Sequence, residues 1–189
     1  MRYGFAIIVI AFLVIVGSVI VATRGDGASA PSLARFTKLV DYENNDTANV
    51  SWTMQGRLVG QDQRRDIRIT VNRNKRVVEI LHYYGERVEQ SAEYPNSPTA
   101  FAAFVRALDN ASFGRERIVK QADERGVCPL GNRFIYRLTD SSEEVMRTWS
   151  DTCAAADGPF GGGKTAQLIQ QLFKAQITDY NKFTVGVSL

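Results

Sequence analysis

Residues Phe5 to Ala22 read FAIIVIAFLVIVGSVIVA, and this uncharged run constrains the chain more than any other feature. As a helix its eighteen residues span about 27 Å, close to the hydrocarbon thickness of a bilayer. A core helix of this length in a water-soluble domain carries a polar face, and none is present here. The competing reading is a cleaved signal peptide. Its apolar stretch would be shorter, about 7–15 residues. The A-x-A site at Ala28-Ser29-Ala30 is followed by Pro31, a poor residue after a cleavage point. The sequence therefore predicts an uncleaved membrane anchor over residues 1–24. A small, polar spacer over 25–36 (beginning GDGASAPS) follows, and then one domain over 37–189.

Charge alone does not orient the anchor. Arg2 precedes the run, whereas Arg24, Arg35 and Lys38 follow it, against the positive-inside preference. We expect the C-terminal domain outside the cytoplasm even so. Long domains translocate largely regardless of flanking charge, and the cysteine pattern fits an oxidising space. Of 23 basic and 20 acidic residues, the N-terminal 24 residues hold two basic and no acidic ones. The domain is thus nearly neutral, which gives no electrostatic case for nucleic acid.

Within the domain the apolar period is first two, then 3.6. Ala48, Val50, Trp52 and Met54 share one face of a strand, with Gly56 a bulge and Leu58 a continuation. Arg65–Asn72 alternates likewise, with Ile67, Ile69 and Val71 inward and Asp66, Arg68 and Thr70 outward. Strands over 76–84 and 87–94 follow, joined at Gly85-Glu86. Ser97-Pro98 reads as a cap and first helical position, and Phe101, Phe104, Val105 and Leu108 form one stripe. Residues 133–139 and 144–149 form a second hairpin. A last helix over 165–177 is expected to bury Leu168, Ile169, Leu172 and Phe173. The predicted fold class is α+β: an N-terminal transmembrane helix, then an antiparallel sheet (a four-strand meander plus a hairpin) packed with two helices.

The sharpest motif is Gly158-Pro159-Phe160-Gly161-Gly162-Gly163-Lys164-Thr165, which satisfies the phosphate-loop pattern G-x-x-x-x-G-K-[ST]. Its context argues against a nucleotide. Asp151–Asp157 (DTCAAAD) precedes it where a buried strand should, and no later apolar strand ends in an aspartate for magnesium. His82, the one histidine, lies in a strand with no partner at triad or metal-ligand spacing. Glu143-Glu144 falls in a turn and reads as solvated. Segment 57–76 holds Arg57, Arg64, Arg65, Arg68, Arg73, Lys75 and Arg76 against Asp62 and Asp66. It is either a patch for anionic polymer or headgroups, or a charged face that keeps strands of different molecules apart. Asn45, Asn49 and Asn110 head N-x-[ST] triplets, relevant only in a host that glycosylates asparagine.

Cys128 and Cys153 are the two cysteines, and their sequence midpoint, 140.5, nearly coincides with the hairpin turn at 141.5. Residues equidistant from a turn face each other, so the pair is expected to bridge the base of the hairpin, with Pro129 or Gly131 interrupting the strand and absorbing the one-residue offset. Metal ligation by these two cysteines alone leaves a zinc site short of ligands. Free thiols would fit a cytosolic domain.

Two stretches, Ala122 to Leu138 (ADERGVCPLGNRFIYRL) and Gln176 to Leu189 (QITDYNKFTVGVSL), resemble short single-anchor exported proteins of unknown function from small-genome, host-attached bacteria. The resemblance implies a bacterial envelope location and transfers no site residue. The expected function is a membrane-anchored, extracytoplasmic binding or interaction module with an envelope protein, lipid or anionic polymer as partner. No catalytic, cofactor or metal residue stands out, so an enzyme is disfavoured. The alternatives are a carrier of an apolar ligand in a curved-sheet pocket and an envelope hydrolase of unidentified site.

Overall fold

Alternation of apolar residues does build strands where expected. The computed structural model describes residues 38–115, 124–153, 158–160 and 163–189. Six strands form one antiparallel sheet: β1 (Asn49–Gln55), β2 (Arg65–Val71), β3 (Lys75–His82), β4 (Arg87–Pro95), β5 (Arg133–Asp140) and β6 (Glu143–Asp151), in the order β4-β3-β2-β1-β5-β6. Turn chemistry fixes the registers. The Asn72 side-chain oxygen accepts from the Asn74 and Lys75 amides at 2.9 Å each, closing the β2–β3 turn. Ser141 and Ser142 both take positive φ (48° and 74°), the twist of a two-residue hairpin turn between β5 and β6.

The helices are α1 (Pro98–Asn110), α2 (Lys164–Lys174) and the single turn α3 (Tyr180–Phe183). Ser97 caps α1 by accepting from the Ala100 amide at 3.2 Å, and Pro98 opens the helix. Phe101, Phe104, Val105 and Leu108 are all buried against one sheet face. α2 buries Ala166, Ile169 and Phe173, whereas Leu168 is 47% exposed and Leu172 is only half-buried, contrary to expectation. The buried set runs i, i+3, i+7, and Leu168 falls off that stripe. Trp52 sits at the centre of the core, fully buried, its ring centroid 6.1 Å from that of Phe134 and 6.4 Å from that of Phe173. Phe104 and Phe113 close on Phe173 at 5.2 and 6.2 Å.

The expected meander and hairpin join in one sheet: β5 pairs along the whole length of β1, from Asn49 opposite Thr139 to Gln55 opposite Arg133. One part of the expected fold class is corrected, the transmembrane helix. No helix among the described residues is long and apolar enough to cross a membrane. The longest, α1, has 13 residues and includes Arg106 and Asp109. The expected anchor and spacer lie outside the described residues.

Candidate functional site

The strands converge on an unusual set of buried charges at one end of the sheet. Gly56 follows β1 directly. A Cβ there would stand 2.6 Å from the Leu189 carbonyl carbon and 2.8 Å from its Cα, so only glycine lets the 185–189 segment lie across the end of the strand. The β1–β2 loop then turns on the Gly60 carbonyl, which accepts from Gln63 and Arg64 at 2.9 and 3.1 Å. This points Arg64 inward. Its side chain is 1% exposed, and Nε lies 2.5 Å from Asp66 Oδ1, on a side chain 2% exposed. Nη1 donates to the carbonyls of Gly56 and Arg57, the latter at 2.8 Å. The guanidinium packs 5.1 Å from the Tyr84 ring centroid, and the Tyr84 hydroxyl donates to the Val59 carbonyl at 2.7 Å.

Arg133 enters the same pocket from β5. In the ladder, Gln55 lies opposite Asp66 on one side and Arg133 on the other, so all three share a sheet face. Arg133 Nη2 reaches the Gly56 carbonyl at 3.5 Å, while Nε has no hydrogen-bond partner among the described residues. Burial lowers the Arg133 pKa, and the nearby Arg64 charge lowers it further. Burial pushes the Asp66 carboxyl above its usual range, against the pull of Arg64.

Two open clefts flank this cluster. One, of 330 Å³, lies between Arg65, Ile80, Glu89 and Gln90 on the sheet and the Val185–Ser188 segment. The other, of 280 Å³, is lined by Arg57, Val59, Arg64, Ser188 and Leu189. Gln63, Arg65 and Ser188 belong to both. Arg65 pairs with Glu89, and Arg57 is exposed at the mouth. Arg57, Arg64 and Arg65 line the clefts, Arg64 paired with Asp66 and Arg65 with Glu89, while Arg133 lies behind them under the charges of Asp66 and Glu124.

The rest of the basic segment does not join this site. Arg68 pairs with Glu79 at 2.7 Å, Arg73 with Asp46 at 2.8 Å and Lys75 with Glu93 at 2.9 Å. Arg76 donates to the Pro95 and Gln176 carbonyls at 2.8 and 3.0 Å. These four dress the sheet face and the β4 side, as a charged protective surface does. Sequence reasoning missed the depth of Arg64, Asp66 and Arg133. The one signal was that Arg64 and Asp66, two apart at the start of a strand, must share a face.

The other flagged residues separate. His82 Nε2 lies 2.6 Å from the Asp62 carbonyl and its ring stacks on Tyr83 at 4.0 Å, with no carboxylate bonded to it among the described residues. A carbonyl can only accept, so Nε2 carries the proton. Gly158 packs on β6: a Cβ there would stand 2.5 Å from the Trp149 carbonyl oxygen and 2.8 Å from the Ser150 Cα. Phe160 donates to that same carbonyl at 3.2 Å, so the start of the phosphate-loop motif runs along the edge of β6. Lys164 is exposed. Gly161 and Gly162 lie outside the described residues. Glu143 and Glu144 are exposed, Glu144 beside Arg137 at 3.2 Å. Asn45 and Asn49 are held in side-chain hydrogen bonds with Asp140 and Asn72, whereas Asn110 is exposed at the end of α1.

Cys128 and Cys153 stand at disulfide distance, with sulfurs 2.03 Å and Cα atoms 5.7 Å apart. They do not meet as opposed hairpin residues. Arg133 is opposite Asp151, so a straight continuation would set Cys128 well past Cys153. Instead the chain reverses at Cys128–Gly131, where Gly131 donates to the Cys128 carbonyl at 3.1 Å. The reversal is pinned by Leu58, whose amide donates to the Pro129 carbonyl at 2.8 Å. Val127, Cys128, Ile135 and Trp149 form a second, smaller apolar cluster on this face. No family model matches this chain, and no curated protein does.

Proposed function

We propose that the domain is an extracytoplasmic binding module that takes an anionic group, carboxylate or phosphate, at the arginine-lined clefts beside the β1–β2 loop. The observation that carries this is the surplus of guanidinium groups there, with Arg57 exposed at the mouth and Arg64 locked by hydrogen bonds at the floor. A cation held before the ligand arrives loses little entropy on binding. Arginine is suited to such oxyanions because its donors form a planar fork. The cysteine pair fits an oxidising space outside the cytoplasm. An anionic envelope polymer, an anionic lipid headgroup or an acidic protein segment would each present the required group. Carriage of an apolar ligand is less well supported, because Trp52, Phe104, Phe134 and Phe173 fill the space between sheet and helices.

The test is binding of the full chain to a phosphate-bearing glycopolymer, to vesicles of anionic lipid and to an acidic peptide, at two salt concentrations. At least one should bind, weaken with salt, and lose about tenfold in affinity in the Arg57→Ala, Arg65→Ala double variant, roughly 1.4 kcal/mol. Lys75→Ala, paired elsewhere on the sheet, serves as control. An equal loss in the control, or no binding to any probe, removes the reading.

A further inference from the structure

The geometry points to a metal site that the disulfide conceals: on reduction, Cys128, Cys153 and Asp151 become three ligands for a zinc-class divalent ion. The two sulfurs and a carboxylate oxygen of Asp151 all lie within 4.8 Å of one another. Two cysteines alone would leave such a site short, and the buried carboxylate supplies the third ligand. Asp151 is 7% exposed, and its Oδ2 has no hydrogen-bond partner among the described residues. Its other oxygen accepts from the Cys153 amide at 2.8 Å, which fixes the carboxylate and leaves Oδ2 available. Arg133, opposite Asp151 in the ladder, turns to the Gly56 carbonyl instead and does not take that oxygen.

The frame holding these ligands does not depend on the sulfur–sulfur bond alone. Asp151 closes strand β6, and Cys128 is packed with Val127, Ile135 and Trp149. Tetrahedral zinc with bonds of about 2.3 Å to sulfur needs its two sulfurs about 3.8 Å apart. Two reduced thiols reach that separation simply by ceasing to be bonded. Access is open: Cys153 is exposed, and a cleft of 340 Å³ lined by Ser150, Asp151, Thr152, Cys153 and Gln167 adjoins the pair. With three protein ligands the fourth position is left to water.

The chemistry balances with a dithiol as reductant. Two electrons and two protons pass from the dithiol to the Cys128–Cys153 bond, giving two thiols and an oxidised, cyclic disulfide of the reductant. The metal ion then displaces the two thiol protons and binds two thiolates and the ionised Asp151. Bound metal holds both thiolates and so opposes their reoxidation.

The probe is Co²⁺, whose thiolate charge-transfer and tetrahedral d–d bands report its ligands directly. The full chain, reduced with a dithiol and freed of it without air, should bind one Co²⁺ with both bands, displaced by Zn²⁺. The oxidised chain should show neither band. Asp151→Asn, reduced, should bind at least about tenfold more weakly, and Cys153→Ser should lose the charge-transfer band. Reoxidation by air should slow in the presence of Zn²⁺. A reduced chain that takes up no Co²⁺, folded or not by circular dichroism, overturns the proposal. So does uptake that Asp151→Asn leaves unchanged, since that would be ligation by two thiols without this geometry.

Discussion

Arg64 Nε and Asp66 Oδ1 lie 2.5 Å apart in an ion pair closed off from solvent, with Arg133 held close by through the Gly56 carbonyl that both arginines share. Removing Asp66 strips the buried Arg64 guanidinium of its ion-pair partner and leaves it beside a second guanidinium, Arg133, whose remaining carboxylate neighbour is Glu124. Asp66→Ala should therefore destabilise the domain by about 3–5 kcal/mol. Replacing both partners with apolar residues of similar volume should cost far less, because the penalty belongs to the stranded charge. Urea denaturation of the two variants checks this. A loss under about 1 kcal/mol for Asp66→Ala would mean that water reaches the pair.

Gly131 is the tightest point of the cysteine corner. A Cβ there would stand 2.5 Å from Cys128 Sγ and 2.7 Å from Thr152 Oγ1, and neither atom belongs to a long flexible side chain. Gly131→Ala should cost about 1–3 kcal/mol in the oxidised protein through overpacking. Reduction of the native protein removes a bridge across a sequence separation of 25. By the chain-entropy model that loss is about 3–4 kcal/mol. Denaturation curves of oxidised and reduced protein, with and without the substitution, measure both quantities. A Gly131→Ala protein as stable as the native one would show that the reversal at 128–131 is loosely held.

The phosphate-loop pattern yields a test in which two of its positions behave oppositely to a nucleotide site. Gly158 touches the backbone of β6, so Gly158→Ala should destabilise by about 1–3 kcal/mol. Lys164 is exposed, and Lys164→Ala should stay within about 0.5 kcal/mol of the native protein. Calorimetric titration with ATP and magnesium should show no saturable binding in either. Saturable binding lost in Lys164→Ala would restore the nucleotide reading.

What could be read in advance was local. Val50 and Trp52, Ile67 and Ile69, and Phe101 through Leu108 declare their faces by period alone, because each element must bury one side. The meander leaves two free edges, β1 and β4, and that β5 takes β1 is a property of the assembled sheet and not of either segment. Asp66 fails for a related reason. Alternation assigns it correctly to the face opposite Ile67, but that face is itself covered near the β1–β2 loop, and period cannot report a second layer. The cysteine pair was legible from the hairpin count with an interruption at Pro129 or Gly131, but the count does not foretell that Cys128–Gly131 turns back fully. Asp151 was invisible as a ligand because its relation to Cys128 exists only across that turn. The anchor expectation rests on residues outside those described, and no helix within them replaces it.

The last prediction concerns alkaline pH. Burial pushes the Tyr180 phenol up to about 12, from an ordinary value of 10.0. Tyr136 is also raised, by burial outweighing its hydrogen bonds with Ser150 and Gln170. Tyr42 is raised by burial and by the charges of Asp140 and Asp41. Each folded-state pKa thus lies above the unfolded one, so the folded protein binds protons more tightly than the unfolded chain. The stability these groups contribute is complete below pH 10 and drains away as pH rises through the folded values, up to about 12 for Tyr180. Stability should therefore be flat with respect to these three groups up to pH 10 and then decline. Phenolate absorbance should include a step near pH 12 if the fold survives that far. Tyr180→Phe should remove that step and shallow the decline. It should keep the packing of the ring, over which the Lys174 ammonium sits 5.4 Å from the centroid. A titration in which all phenolate appears with the far-ultraviolet spectrum still native, and no step is lost in Tyr180→Phe, would show that the α3 turn leaves Tyr180 open to water.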